Sequence, residues 1–163
     1  MKWPLFVLLL WAAVMTSCAL FPRRDTVAYP AAGGTGPAPE GVFVDKVDVD
    51  RRVLSREVAR DVENLILVLA PGHGFAVTSH SAEKSWPIRV HVVEREIIKD
   101  FSPQYSIMIS LEMLTSVDAQ QAALTVVHTS ESSDSISSPW TLKRILNDCL
   151  GEAARAFAAG RGK

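Results

Sequence analysis

Two cysteines, Cys18 and Cys149, four histidines and a scatter of serines and carboxylates are the reactive side chains of this 163-residue chain. His73, His80, His91 and His128 show no His-Glu-x-x-His pattern and no Cys or His pair at zinc spacing. Their expected role is polarity on loops and strand faces, although His91 and His128 facing each other across strands would make a weak metal pair. Gly72-His73-Gly74 has too few glycines to cradle a phosphate and follows a helical pattern, so it reads as a helix stop. The serine-rich run from His128 to Ser138 lacks the Gly-x-Ser-x-Gly elbow that exposes a nucleophile. Glu94, Glu96 and Asp100 lie near one strand end with Arg95 among them, a solvent-face pattern. None of these groups requires catalysis, and the chain is expected not to be an enzyme, with no metal and no cofactor.

Cys18 is different because of what precedes it. Lys2 opens a short n-region, and an apolar run from Leu5 to Val14 leads into Met15-Thr16-Ser17. That is the order of a secretory signal, residues 1–17. The run is shorter than the roughly 18 to 20 residues needed to cross a bilayer. Met15-Thr16-Ser17-Cys18 resembles the lipobox of bacterial lipoproteins, with Met in place of the usual Leu. The resemblance implies that Cys18 receives diacylglycerol and becomes the mature N-terminus, so the chain meets a membrane through acyl chains on Cys18. Two or more acyl chains anchor stably, at ~0.8 kcal/mol per buried methylene. With Cys18 alkylated, Cys149 has no partner in the chain. Its place among apolar residues at helical spacing makes it a small buried hydrophobe, and the domain folds without a disulfide.

Residues 18–41 are the lipidated cysteine and a tether. Phe21 to Gly41 is rich in Pro and Gly without apolar periodicity, and a flexible chain of that length spans about 25 Å. Removing residues 1–17 takes away one of the 17 Lys and Arg, Lys2, and leaves 16 against 18 Asp and Glu, a formal charge of −2. That balance gives no electrostatic reason to expect nucleic acid. Arg23-Arg24 beside the tether reads as a solubilising pair.

Residues 42–163 read as one domain. Val42 to Val49 alternates as a strand, with Phe43 on the opposite face from Val42 and Val44. Leu54, Val58, Val62, Leu65, Ile66 and Leu69 then recur at steps of three and four, an amphipathic helix stopped by Pro71-Gly72. Gly74 to Ser79 is a short strand, and Trp86-Pro87 falls in a polar loop. Ile88 to Ile98 is a strand whose phase blurs at Val92-Val93, the mark of a bulge. Tyr105 to Leu114 alternates cleanly, and Ala122 to Ser130 adds a weaker strand. Ser138 is an N-cap with Pro139 at the first helical position, and Leu142, Ile145, Leu146, Cys149, Leu150, Ala153 and Phe157 share one face of a helix ending at Gly160. The order β-α-β-β-β-β-α predicts an α+β two-layer sandwich, a mixed sheet of about five strands with two helices on one face. The opening strand-helix-strand unit is expected to be right-handed, with its strands parallel.

A lipobox, a Pro and Gly tether and this order of elements resemble the small assembly lipoproteins of the bacterial outer membrane. The nearest is the LptE-like family, with a similar order in the CsgG, PelC and LpoB group and in the N-terminal domain of TolB. The resemblance implies an accessory subunit, anchored in the outer membrane with its domain in the periplasm, that docks on a larger envelope protein such as an outer-membrane barrel. Ala19 after the cysteine, where Asp would signal retention in the inner membrane, agrees with outer-membrane sorting. The other class left open is a lipid-binding or glycan-binding module using the sheet face that the helices leave bare. Docking needs apolar or aromatic anchors and free strand edges, whereas glycolipid binding needs clustered cations. Trp86 and Phe43 are the aromatic residues expected to be partly exposed and to contact a partner. Lys84, Arg89, Arg95 and Lys99 are the candidate cation cluster, with Glu83, Glu94, Glu96 and Asp100 expected to cancel it.

Overall fold

The computed structural model describes residues 24–32, 34–50, 55–78 and 84–160. The signal segment, Cys18, Arg23, Leu54 and Glu83 lie outside the described residues. The described chain forms strands β1 (Arg24–Pro30) and β2 (Gly41–Asp50), helix α1 (Ser55–Leu69), a 3-10 turn (Ala70–His73) and strand β3 (Ala76–Val77). Strands β4 (Ser85–Lys99), β5 (Ser102–Met113) and β6 (Leu124–Ser132) follow, then helix α2 (Pro139–Gly160). The architecture is the expected α+β sandwich, with six strands in the order β1-β6-β5-β4-β2-β3. β2 runs parallel to β3 and β4, and all other pairs are antiparallel.

The sixth strand comes from the segment expected to be tether. Arg24 to Pro30 pairs with β6 over its full length, from Arg24 opposite Ser130 to Pro30 opposite Leu124. Among the described residues of that segment, the stretch after it, around Gly34 and Gly36 with φ of 84° and 65°, keeps the irregular course that the Pro and Gly content predicts. β3 is shorter than expected, two residues at the far edge, because Gly74 in the left-handed region (φ 85°) and the preceding 3-10 turn use up the start of that segment.

The core lies between one sheet face and both helices. α1 contributes Val58, Val62 and Ile66, and α2 contributes Leu142, Ile145, Leu146, Cys149, Leu150, Ala153 and Phe157. Against them stand Val42, Ile88, Val90, Val92, Ile107, Ile109, Leu111, Met113, Leu124 and Val126. Each sits on alternate positions of its strand, as a half-buried sheet requires. α1 passes through the 3-10 turn that contains Pro71 before Gly74 reverses the chain. α2 begins at Pro139 as expected, with the Leu142 amide donating to the Ser138 carbonyl at 3.1 Å.

The bulge is not where the sequence put it. β4 and β5 stay in register from Ile88 opposite Met113 to Lys99 opposite Ser102, straight through Val92 and Val93. Val93 is apolar because on the bare face it stands between Met108 and Asp50, where it is half-buried. The irregularity is on β2, where Asp45 is the extra residue between Val44, opposite Ile88, and Lys46, opposite Arg89. It turns the Asp45 carboxylate to accept from Arg89 Nε at 2.8 Å.

Candidate functional site

The bare sheet face is built from residues that alternate with the core. Strand register places them in rows. Val27, Val127, Ser110, His91 and Asp48 form one row; Tyr29, Thr125, Glu112, Arg89 and Lys46 form the next; Asp25, Thr129, Met108, Val93 and Asp50 lie on the other side. The rows divide the face. Toward β2 it is charged, with a shallow groove lined by Asp45, Lys46, Asp48, Arg89, Val90, His91 and Glu112. Toward β1 it is apolar and hydroxylic, and Val27, Tyr29 and Met108 are 43%, 56% and 37% exposed.

The cations expected to gather around β4 do not form a free cluster. Lys84 pairs with Glu40 at 3.0 Å, Arg89 with Asp45 at 2.8 Å, Arg95 with Asp50 at 3.8 Å and Lys99 with Glu131 at 2.9 Å. They are strung along the strand, and each has its own carboxylate. The partners come from β2, β6 and the loop before β2, so the cancelling acids are not the neighbours in sequence. The hydrogen bond from Lys99 to Glu131, and the charge of that carboxylate, raise the lysine above its ordinary value. Arg89 also donates to the Val117 carbonyl at 2.7 Å, tying the β5–β6 loop across the sheet end.

Glu94 has a structural place. On the helix side of the sheet it accepts from Ser135 Oγ at 2.9 and 3.1 Å and from the Ile136 amide, fixing the turn that leads into α2. Adjacent acidic residues in sequence suggested a solvent face; the side of the sheet shows otherwise.

The two histidines weighed as a metal pair lie on opposite faces. His91 is exposed on the bare face, opposite Ser110. His128 is 1% exposed on the core face, opposite Ile109, with its Nδ1 2.7 Å from Thr26 Oγ1. Among the described residues no three His, Cys, Asp or Glu side chains gather as a metal site requires. Cys149 is fully buried, and desolvation pushes its thiol up to about 12.

Neither aromatic residue expected at a partner surface stands free. Phe43 is 4% exposed, on the bare side of β2 opposite Pro87. Pro87 and Leu114 are buried with it at this sheet end, joined by the bond from the Leu114 amide to the Pro87 carbonyl at 3.0 Å. Trp86 belongs to β4, not to a loop, and is half-buried, edge-on to Phe157 with ring centroids 5.7 Å apart. Phe75 meets the same ring at 6.1 Å, so the three aromatics close one end of the core. Pro87 is compatible with this place because it falls at the start of the strand.

Sequence reasoning missed two features. Val27 and Tyr29 were hidden in the supposed tether, where the β-branched and aromatic run Thr26-Val27-Ala28-Tyr29 was the available signal. Trp140, 74% exposed, lines a groove of about 540 Å³ with Pro139, Lys143, Arg144 and Asn147 at the start of α2. Among the described residues no carboxylate pairs with Lys143 or Arg144, and Arg144 Nε is buried without a hydrogen-bond partner. No helix among the described residues is long and apolar enough to cross a membrane.

No protein-family model and no curated protein sequence matches the chain. Solved structures do. The PelC dodecamer of Paraburkholderia phytofirmans is 12% identical with a TM-score of 0.48, covering 80% of this chain and 98% of that one. A minor lipoprotein of Acinetobacter baumannii is 9% identical with a TM-score of 0.44, covering 77% and 95%. The second of these is a lipoprotein by its description. Neither description names an LptE-like protein, so that finer likeness rests on the sequence pattern alone.

Proposed function

We propose that this chain is a non-catalytic envelope lipoprotein, anchored in the outer membrane by acyl chains on Cys18 and docking as an accessory subunit on a larger envelope protein. The observation that carries the docking part is the β1 side of the bare sheet face. Val27, Tyr29 and Met108 are exposed there, and β1 is the edge strand. An edge strand with apolar side chains is the arrangement that pairs with or packs on another protein. The paired cations of β4 speak against phosphate recognition by the rest of that face.

The groove at Trp140, Lys143 and Arg144 favours a second reading, a lipid-binding or glycan-binding module, since an exposed indole beside cations without carboxylate partners suits a sugar ring or a phosphate. One experiment separates the two. A photo-crosslinking residue at Tyr29, and another at Trp140, are introduced into the full chain in its native envelope. Docking predicts one discrete heavier adduct from position 29, identified by mass and lost in Val27→Asp. Crosslinking to lipid or glycan from position 140, with no protein adduct from position 29, would reverse the assignment. The anchor is tested separately: Cys18→Ser should stop fatty-acid incorporation and leave an uncleaved precursor, while Cys149→Ser labels normally.

A further inference from the structure

The β4–β5 hairpin outruns the rest of the sheet. β2 ends at Asp50, opposite Val93, and β6 ends at Ser132, opposite Tyr105. Among the described residues no third strand pairs with Ile97–Gln104, Ile98–Pro103 or Lys99–Ser102, which stand as a two-stranded ribbon tied to β6 through the Lys99–Glu131 pair. Asp100 and Phe101 make the two-residue turn, both at positive φ, 51° and 63°. Such turns take Asn, Asp or Gly, and phenylalanine is a costly choice at that position. The ring gains nothing from the fold in return: Phe101 is 103% exposed and Ile98 81%.

The anchor leaves the sheet at this same end. Strand register carries Arg24 across to Ser130, Ile107 and Glu94, so the first residue of β1 is level with Glu94. From Glu94 the hairpin climbs five residues to Lys99, about 17 Å at 3.3 Å per residue. From Arg24 back to Cys18 are six residues, which reach at most about 20 Å. An acylated Cys18 can therefore lie at the height of the hairpin tip and cannot lie far above it.

We infer that the tip, Ile98 and Phe101, is a second, non-covalent foot that enters the headgroup boundary of the same leaflet that holds the Cys18 acyl chains. This rests on the proposed acylation. An aromatic ring and a branched aliphatic side chain fit the boundary between headgroups and acyl chains, where apolar faces settle about 5 to 10 Å deep. Asp100 and Ser102 flank Phe101 in sequence and would meet the headgroups. The foot fixes the long axis of the sheet upright on the membrane, which a single attachment at Cys18 cannot do.

The test uses the full-length protein in vesicles of phosphatidylethanolamine and phosphatidylglycerol, after the mass of its N-terminal peptide has shown the acyl chains. Phe101→Cys and Val117→Cys, the latter in the loop at the opposite sheet end, are each labelled with an environment-sensitive fluorophore. Cys149 is buried and does not compete. Ile98→Cys is the second reporter should the Phe101 variant melt below wild type. The expected result is a blue shift at the tip and loss of its emission with lipids brominated high on the acyl chain, with no change at position 117. Equal quenching of both positions by aqueous iodide overturns the foot and leaves the anchor standing. A blue shift at the tip without quenching by brominated lipid marks a protein contact, with a second copy or a partner, and also overturns it. A chain that carries no acyl group overturns both readings.

Discussion

If β1 is part of the fold, Thr26 holds a structural hydrogen bond, and Thr26→Val should reveal it. Valine keeps the shape of threonine and replaces only the hydroxyl. What is lost is the 2.7 Å contact to Nδ1 of His128, a side chain 1% exposed. Taking that partner from a buried polar atom costs about 1 to 3 kcal/mol. The new methyl on half-buried Thr26 returns less than about 0.8 kcal/mol. The net loss is about 1 to 2 kcal/mol, which in a domain of this size lowers Tm by roughly 3 to 8 °C. Urea unfolding should show the loss as a lower midpoint with an unchanged m value. Thr26→Ser keeps the hydroxyl and should lose much less. Thr129→Val, on the exposed side of the neighbouring strand, is the surface control. A double-mutant cycle of Thr26→Val with His128→Leu should give a coupling of about 1 kcal/mol. If Thr26→Val behaves like Thr129→Val and the cycle is additive, β1 is not packed on the sheet and residues 24–30 are tether after all.

Leu146 is fully buried in the middle of the α2 face, so Leu146→Ala should cost about 2 to 5 kcal/mol in the same assay; a change well under 1 kcal/mol would show that α2 is not packed as described. Cys149 should resist thiol reagents at pH 8 until the domain unfolds. Its folded pKa is raised from 9.0 to about 12, so its contribution is intact below pH 9 and is lost as pH rises from 9 to 12, where the unfolded thiol ionises and the folded one does not. Stability over that window should fall more steeply in wild type than in Cys149→Ala, and parallel pH profiles would refute the burial.

The two helices and the central strand were legible because each carries its signal within itself. Val58, Val62 and Ile66, or Leu142 through Phe157, repeat at the helical period against a polar far side, and Ile107 to Met113 alternates without a break. β1 was illegible for a physical reason. Its inward positions Thr26 and Ala28 are small, while the outward Val27 and Tyr29 are more apolar, so the alternation contradicts the burial. Thr26 is inward because it answers His128, a partner 102 residues away. Phe43 misled in the opposite direction. Alternation put it outside correctly, but burial on that side depends on Pro87 and Leu114 at the sheet end, which no local pattern announces. The same holds for the cations of β4: sequence neighbours suggested Glu94 and Glu96 as the cancelling acids, and strand register supplied Asp45, Asp50 and Glu131 instead.

Moving residues 24–30 from tether to sheet changes what the anchor can do. Between Cys18 and the fold there remain five residues, Ala19 to Arg23, in place of a flexible chain of about 25 Å. With Cys18 acylated, Arg24 cannot be held further than about 20 Å from the lipid. β1 then runs away from the membrane, and Tyr29 lies five residues, about 17 Å, beyond Arg24. The apolar strip of Val27 and Tyr29 is therefore presented at a height of no more than about 40 Å from the lipid surface. On the proposed anchoring, a partner that fits must offer its own apolar or strand-edge surface within that height, next to the leaflet that holds the acyl chains. A partner matched to that height is one geometry, and a partner that captures the strip wherever the chain holds it is the other. Lengthening the linker by inserting ten Gly and Ser residues after Arg23 separates these geometries. The insertion leaves the fold and acylation untouched but raises the extended reach of the chain from about 20 Å to about 55 Å. Loss of the crosslink from position 29 in this variant, with melting temperature unchanged, would show that docking depends on a fixed height. An adduct of wild-type yield would show that the partner reaches the strip from any distance, and the argument from the short linker would fail.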